Sequence, residues 1–427
     1  MSHYITGFGK FVIYTRIALD VAVRYALRPR SFGWSPVAYV RFLRRALFLL
    51  LAFRHNKVVR VRTGYKLHLY LPAFPTPAFY YAIESKLIRT PARAITVVFS
   101  MTKACSYHCE HCYQRKDAGP DLEDELLCKT ARAIQDNGVA MFDIEGGEPL
   151  VRYERLLKLL RSLDARSEVW INTTGAQLTP IMLNELKDAG LFGLMVSVHS
   201  PDPAVHDAFT GVPGSFDIAC DALRLCREVG VAAAVNCVLS EDEARGDGLA
   251  RLMDLARDLD ADYVQLIHPK PAGKWLGKQD GMLLDPVLIE SLRKEHVRYN
   301  SCAMHDYPSL AAQVFEEAES ILGCTCGGID RFYVNATGEV QPCEFLNLSF
   351  GNVRHEPFED IYSRMRSFFQ RPCSDWLCCT QAQAIEEQFR QHGLSQTPLP
   401  KEVSKQLARE WDRGKPTPLY KRLGIYK

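Results

Sequence analysis

From about residue 94 to residue 270 the chain alternates short apolar runs with amphipathic helical patterns, and that alternation leaves few folds open. Strand-like runs lie at 94–100, 141–145, 169–172, 193–199, 232–239 and 263–267. Helical patterns separate them at about 121–137, 153–164, 179–189, 216–229 and 246–259. Six βα units in series predict an α/β protein whose parallel sheet curls into a partial (β/α)6 barrel of the TIM type. Ligand sites in such a fold gather at the carboxyl ends of the strands.

The residues before the barrel have a different character. Residues 1–60 carry eleven Lys or Arg against the single acid Asp20, a local net of +10 in a chain whose formal total is +2. Within 8–28, Arg16, Asp20, Arg24 and Arg28 recur at every fourth position and form one polar stripe on an otherwise apolar helix. A second helix is expected near 37–54, with Arg41, Arg44 and Arg45 beside the apolar residues 47–51. No uncharged run approaches the ~20 residues that span a bilayer, so no transmembrane helix is expected. These helices either pack on the enzyme body with their arginines in water, or lie in a membrane interface with arginines against anionic headgroups. The charge balance favours the interface, and places the protein in the cytoplasm, peripheral on the inner face of the membrane. A nucleic-acid arm is not expected, because the apolar content is high and basic and aromatic residues do not interleave.

A hairpin and linker are expected over 61–93, with strands at 58–63 and 66–71, then the barrel core over 94–285. A helical linker follows at 286–322, then a small Cys-rich α+β region at 323–380 and a polar helical tail at 381–427. Fourteen cysteines in 427 residues are too dilute for a disulfide scaffold, and no secretory signal is expected ahead of them. Three fall at 105, 109 and 112, and six between 324 and 379, which reads as metal or iron–sulfur ligation.

Cys105, Cys109 and Cys112 form a C-x3-C-x2-C set directly after the first barrel strand. Three soft thiolates on one short loop can wrap three corners of a cubane and leave the fourth iron open. Zinc is the competing ligand, with His108 or His111 as a fourth donor to close the site. The spacing, followed by Tyr113, resembles that of the radical SAM family. Gly146-Gly147-Glu148-Pro149 at the end of the next strand is similar to that family's GGEP motif. The resemblance implies that the glycines let the backbone approach the methionine end of S-adenosylmethionine while a carboxylate receives its ammonium. It also nominates Tyr113, Thr173, Ser197 and Asn236 as cofactor contacts. Where the family often has Arg-Gly after a His-Asp pair such as His206-Asp207, this chain has Thr210-Gly211, which removes an arginine contact.

The second cluster, from Cys326 through Gly338 to Cys343, resembles the opening of a SPASM or twitch domain; counted from Cys324 the gap also fits. Residues 331–343 read as a β-hairpin turning at 335–338. The full two-cluster continuation is missing, so one auxiliary 4Fe–4S site is expected. Its expected ligands are Cys326 (or Cys324), Cys343, Cys373 and Cys378 (or Cys379), with a closed zinc site as the alternative. The resemblance implies a 4Fe–4S cluster that binds S-adenosylmethionine, reductive cleavage of that cofactor, and hydrogen abstraction from an unactivated C–H. Flavodoxin or ferredoxin would supply the electron. A membrane lipid or isoprenoid is the expected substrate, with a ribosomally made peptide or a small metabolite as alternatives. A non-enzymatic iron–sulfur or zinc protein would need both motifs to be coincidental.

Overall fold

The computed structural model describes residues 3–278 and 285–426. The chain opens with a short strand, β1 (Tyr4–Ile5), and two long helices, α1 (Gly7–Ala26) and α2 (Pro36–Ala52). Ser35 starts α2, its hydroxyl accepting from the Ala38 amide at 3.2 Å, with Pro36 as the first helical residue. The expected hairpin follows as β2 (Val58–Val61) and β3 (Gly64–Lys66), antiparallel, with β1 completing a three-stranded sheet. Its turn falls two residues earlier than expected, and residues 67–71 do not continue the second strand.

The six expected strands form one parallel sheet: β4 (Thr96–Ser100), β5 (Met141–Glu145), β6 (Glu168–Thr173), β7 (Leu191–Ser197), β8 (Ala232–Val238) and β9 (Tyr263–Ile267). Helices Asp124–Asn137, Tyr153–Ser162, Pro180–Asp188, Ser215–Val229 and Gly248–Asp258 fill the crossovers. Each turns its apolar stripe onto the sheet, as Leu127, Ala131 and Ile134 do against the core that holds Val97, Phe99 and Phe142. Two further parallel strands extend the sheet, β10 (Ser309–Ala312) beside β9 and β11 (Arg331–Val334) beside β4, and β12 (Val340–Gln341) closes a hairpin with β11. The first of these lies inside the expected helical linker. The second makes the Cys-rich region continuous with the barrel wall.

Alternate residues of the strands point into the barrel. Met141, Trp170, Met195, Ala234, Tyr263 and Ala311 make one apolar layer, and Tyr4, Val59 and Leu69 pack on it from the amino-terminal side. The segment after β3 is therefore a floor for the barrel. It is pinned there by a buried ion pair between Lys66 and Glu168, by Lys66 Nζ donating to Leu71 O at 2.8 Å, and by the Ala73 amide donating to Glu168 at 2.7 Å. Two residues further along each strand the inward positions become polar, and that ring faces the site.

Candidate active site at the carboxyl ends of the strands

The loop that carries Cys105, Cys109 and Cys112 leaves β4 alongside the loop that leaves β5. Gly147 N donates to Thr102 O at 2.7 Å, and Glu148 N to Ala104 O at 2.7 Å. A Cβ on Gly146 would lie 2.5 Å from Thr102 O, and one on Gly147 2.2 Å from Ala104 O. The glycines thus let two backbones run side by side. Two other segments clasp the cysteine loop from outside. His108 N donates to Thr210 O at 3.0 Å and Glu110 N to Phe209 O at 2.9 Å. Lys274 N donates to Cys112 O at 3.2 Å, and its ammonium reaches Cys109 O at 2.9 Å. Gly273, at φ +55°, brings this second clasp so close that a Cβ would sit 2.1 Å from Tyr113 Cα.

All three thiols line one cavity of about 270 Å³ together with Gly146, Gly147 and Glu148. Burial holds the thiols in their protonated form and pushes Cys109 up to about 12, with its two neighbouring thiols adding to the effect. Deprotonation of the set therefore calls for a positive centre among them. Neither histidine is placed to close a zinc site. His108 meets Arg115 at 3.2 Å, and His111 packs between the rings of His199 and Phe209 at 4.7 and 4.9 Å. Among the described residues no three His, Cys, Asp or Glu side chains converge on a point that could hold one metal ion. The C-x3-C-x2-C spacing of the three thiols on one loop suits three corners of a cubane.

Glu148, the carboxylate expected to receive an ammonium, is already engaged within the protein. It is fully buried, and four protein donors occupy its carboxylate: the hydroxyls of Thr173 and Thr174 and the amide of Thr174, each at 2.7 Å, and the amide of Leu150 at 3.1 Å. It ties the end of β5 to the end of β6, and Thr173 spends its hydroxyl on that tie. Pro149 begins the 3-10 turn that follows. Tyr113 donates its phenol to Glu145 and packs edge-on against Phe345 at 5.6 Å, so it braces the wall of the cavity. Ser197 and Asn236 line the same cavity.

Apart from Asn236, several functional groups escaped the sequence reading. Asn236 Nδ2 donates to Asn172 Oδ1 at 3.2 Å, and Asn172 Nδ2 to Asp143 Oδ1 at 2.7 Å, a ladder across the strand ends. Gln265 Nε2 donates at 2.6 Å to the phenol of Tyr70, which rises from the floor. Burial, reinforced by Glu344, pushes Asp143 up to about 8, and burial beside Asp143 pushes Glu145 well above the usual carboxylate range. Arg331, entering from β11, pairs with Glu317 at 3.0 Å. The available signal was the period-two position of Asp143, Asn172, Asn236 and Gln265, polar residues in strands that are otherwise apolar.

The second cysteine cluster is also gathered. Cys324 and Cys326 lie 3.6 Å apart through sulfur, Cys324 N donates to Cys373 O at 2.8 Å, and Cys379 approaches His268 at 3.9 Å. A hydrogen bond from Cys379, with Lys270 close by, lowers Cys378 to about 6. Cys343 donates to Glu344 at 3.1 Å. The fold thus brings all six cysteines to one region, without choosing four of them.

Residues 99–247 match the model of the radical SAM superfamily, and residues 324–383 match SPASM, an iron–sulfur cluster-binding domain. The probable GTP 3',8-cyclase of Pyrobaculum aerophilum is 31% identical over 273 residues, covering 60% of this chain and 86% of that protein. This chain belongs to the radical SAM superfamily. The AdoMet-dependent heme synthase of Nitratidesulfovibrio vulgaris is 26% identical over 298 residues, 64% of this chain and 80% of that protein. The PqqA peptide cyclase of Granulibacter bethesdensis is 23% identical over 289 residues, 65% of this chain and 76% of that protein. Radical SAM domains bind S-adenosylmethionine and a 4Fe–4S cluster, and SPASM domains bind auxiliary iron–sulfur clusters. The chain is therefore a radical SAM enzyme with a SPASM domain.

Proposed function

We propose that this enzyme functionalises an unactivated C–H bond of a peptide substrate held inside the barrel. The observation that carries the reading is the inner polar ring. Asn236 Oδ1, Gln265 Oε1, Gln313 Oε1 and Arg331 Nε are buried without a protein partner, and their residues all line the cavity. An unmet buried polar atom costs about 1–3 kcal/mol, a cost that amide N–H and C=O groups of a peptide remove and a hydrocarbon does not. The similarity to a peptide cyclase supports the same choice, and both move the reading away from the lipid favoured by the sequence alone.

Cys105, Cys109 and Cys112 would hold the 4Fe–4S cluster, which with S-adenosylmethionine supplies one-electron sulfonium cleavage and hydrogen-atom abstraction. The chain's own residues do the rest. The clasps at Thr210 and Lys274 fix the loop, the floor at Leu69 and Tyr70 shuts out water, and neutral Asp143 offers a proton-bearing carboxyl to the substrate. Cys324, Cys326, Cys343, Cys373, Cys378 and Cys379 supply the ligands of the auxiliary site, and a flavodoxin or ferredoxin supplies the electron. A second reading, a membrane lipid or isoprenoid, is favoured by Leu49 of α2 and Phe53 just after it, which line the same cavity as the cysteines.

The test is deuterium transfer. Reduced, reconstituted enzyme is given peptide and lipid fractions from cells grown in deuterated medium, and 5'-deoxyadenosine is analysed by mass. Deuterium from the peptide fraction supports the proposal. Deuterium from the lipid fraction alone overturns it in favour of the second reading.

A further inference from the structure

The outward faces of α1 and α2 are inverted with respect to those of a helix in water. On α1, Ile13, Ile17, Val21 and Tyr25 are buried against the body. Three residues of its polar stripe, Asp20, Arg24 and Arg28, run along the edge of that contact, while Arg16 is exposed. Tyr80 donates to Asp20 at 2.5 Å, the Arg24 guanidinium lies 3.7 Å from the Tyr80 ring, and Arg28 pairs with Glu84 at 3.0 Å. What faces outward is mostly apolar over five turns, with Phe8, Phe11, Leu19 and Val23 exposed at 81%, 66%, 61% and 60%, and Arg16 is the one exposed cation of α1. The α2 face continues it with Val37, Val40, Leu47 and Leu51, and Trp34 projects from the loop between the helices. Eleven of the seventeen large apolar side chains exposed among the described residues belong to this one segment.

The charge around the patch says what covers it. Arg30, Arg41 and Arg44 are exposed within or beside it. Arg45 binds the carbonyls of Leu423 and Gly424 at 2.7 and 2.6 Å, which brings exposed Lys421 and Arg422 of the carboxyl-terminal helix to the same side. Asp20, the one acid of residues 1–60, is already engaged by Tyr80. A second copy would bring the same cations face to face, whereas an anionic surface with an apolar interior complements both properties. No described helix is long and apolar enough to cross a membrane, so the contact is one of lying on the surface.

We infer that α1, the Trp34 loop and α2 form a docking surface for an anionic lipid bilayer. The apolar face enters the headgroup–acyl boundary, and the arginines meet the phosphates. This holds whichever substrate occupies the barrel, so its test is independent of the substrate assay.

The experiment is vesicle flotation of the full chain with phosphatidylcholine alone and with phosphatidylcholine mixed with phosphatidylglycerol, whose headgroups carry the negative charge the arginines would meet. The expected result is at least tenfold stronger partition onto the anionic vesicles, reduced by 0.5 M salt. The triple variant Phe8→Ser/Phe11→Ser/Leu19→Ser removes only exposed side chains and should lose at least tenfold with an unchanged thermal transition. Should that variant misfold, Arg41→Gln/Arg44→Gln gives the second measure, losing the preference for anionic vesicles. Lipids brominated at the acyl chain should quench the Trp34 part of the fluorescence, found by difference with Trp34→Phe. No partition onto anionic vesicles overturns the inference. So does partition that the variants leave unchanged, or light scattering showing a dimer that the triple variant abolishes.

Discussion

Lys66→Ala probes the floor of the barrel most directly. Lys66 and Glu168 have 0% and 2% of their side chains exposed, so neither charge has water to fall back on. Burial pulls the Lys66 ammonium below its ordinary value, and Glu168 is the partner that draws it back up. Truncation leaves the Glu168 carboxylate with two of its three partners, the Ala73 amide at 2.7 Å and the Trp170 indole at 2.8 Å, and strips Leu71 O of its donor. Breaking a buried pair costs about 3–5 kcal/mol, and the two remaining donors place this case near about 3 kcal/mol. That is a large share of the 5–15 kcal/mol typical of a domain. Trp170 reports the change, because the Lys66 ammonium sits 5.4 Å from its ring. Urea unfolding followed by tryptophan fluorescence should show an earlier transition, and amide exchange over residues 67–73 should accelerate. Lys66→Met/Glu168→Gln, which buries no net charge, should recover part of the loss. A Lys66→Ala protein within about 0.5 kcal/mol of the parent, or a double variant no better than the single one, would refute the argument.

Gly147→Ala should displace the cysteine loop, since its Cβ would land 2.2 Å from Ala104 O, and iron incorporation at the first site should fall at least severalfold by chemical analysis. Cys109→Ala should abolish 5'-deoxyadenosine release; the parent should reconstitute with about eight iron per chain and Cys343→Ala with about four, as two cubanes require. Asp143, pushed up to about 8 by burial, should be protonated at pH 7. A carboxyl whose folded value is raised stabilises the fold below its unfolded value near 3.8, and that contribution drains away as pH rises towards 8. Asp143→Asn should therefore keep most activity at pH 7, flatten the fall in kcat/KM between pH 7 and 9, and flatten the fall in thermal stability between about pH 4 and 8; a parallel pH profile for parent and variant would disprove the assignment.

The cysteine loop was legible because its information is local: three thiols within eight residues, just after a strand, can be read from spacing. The six central strands were legible because each is a run of apolar and β-branched residues. Ser309–Ala312 was not, since Ser-Leu-Ala-Ala carries no strand propensity and is held by its pairing with β9. Glu148 shows the limit for a motif, because its partners Thr173 and Thr174 arrive from another strand and decide what its carboxylate can do. Periodicity found the two faces of α1 but not which one packs inward. Tyr80 and Glu84, more than fifty residues away, made the stripe that looks like the solvent face into the seam of the contact.

The floor built by residues 66–73 changes how this protein can be dissected. Lys66 finds Glu168 across 102 positions of chain, so the amino-terminal segment and the barrel complete one another rather than sit side by side. Trimming the apolar leading segment back to the start of β4, the natural step towards a more soluble enzyme, would uncover Trp170, Met195 and Tyr263 at the base of the cavity and admit water behind the cysteines. The soluble fragment would be a different enzyme, open at both ends. Function of the leading helices and function of the barrel can be separated by single side chains, and not by a cut.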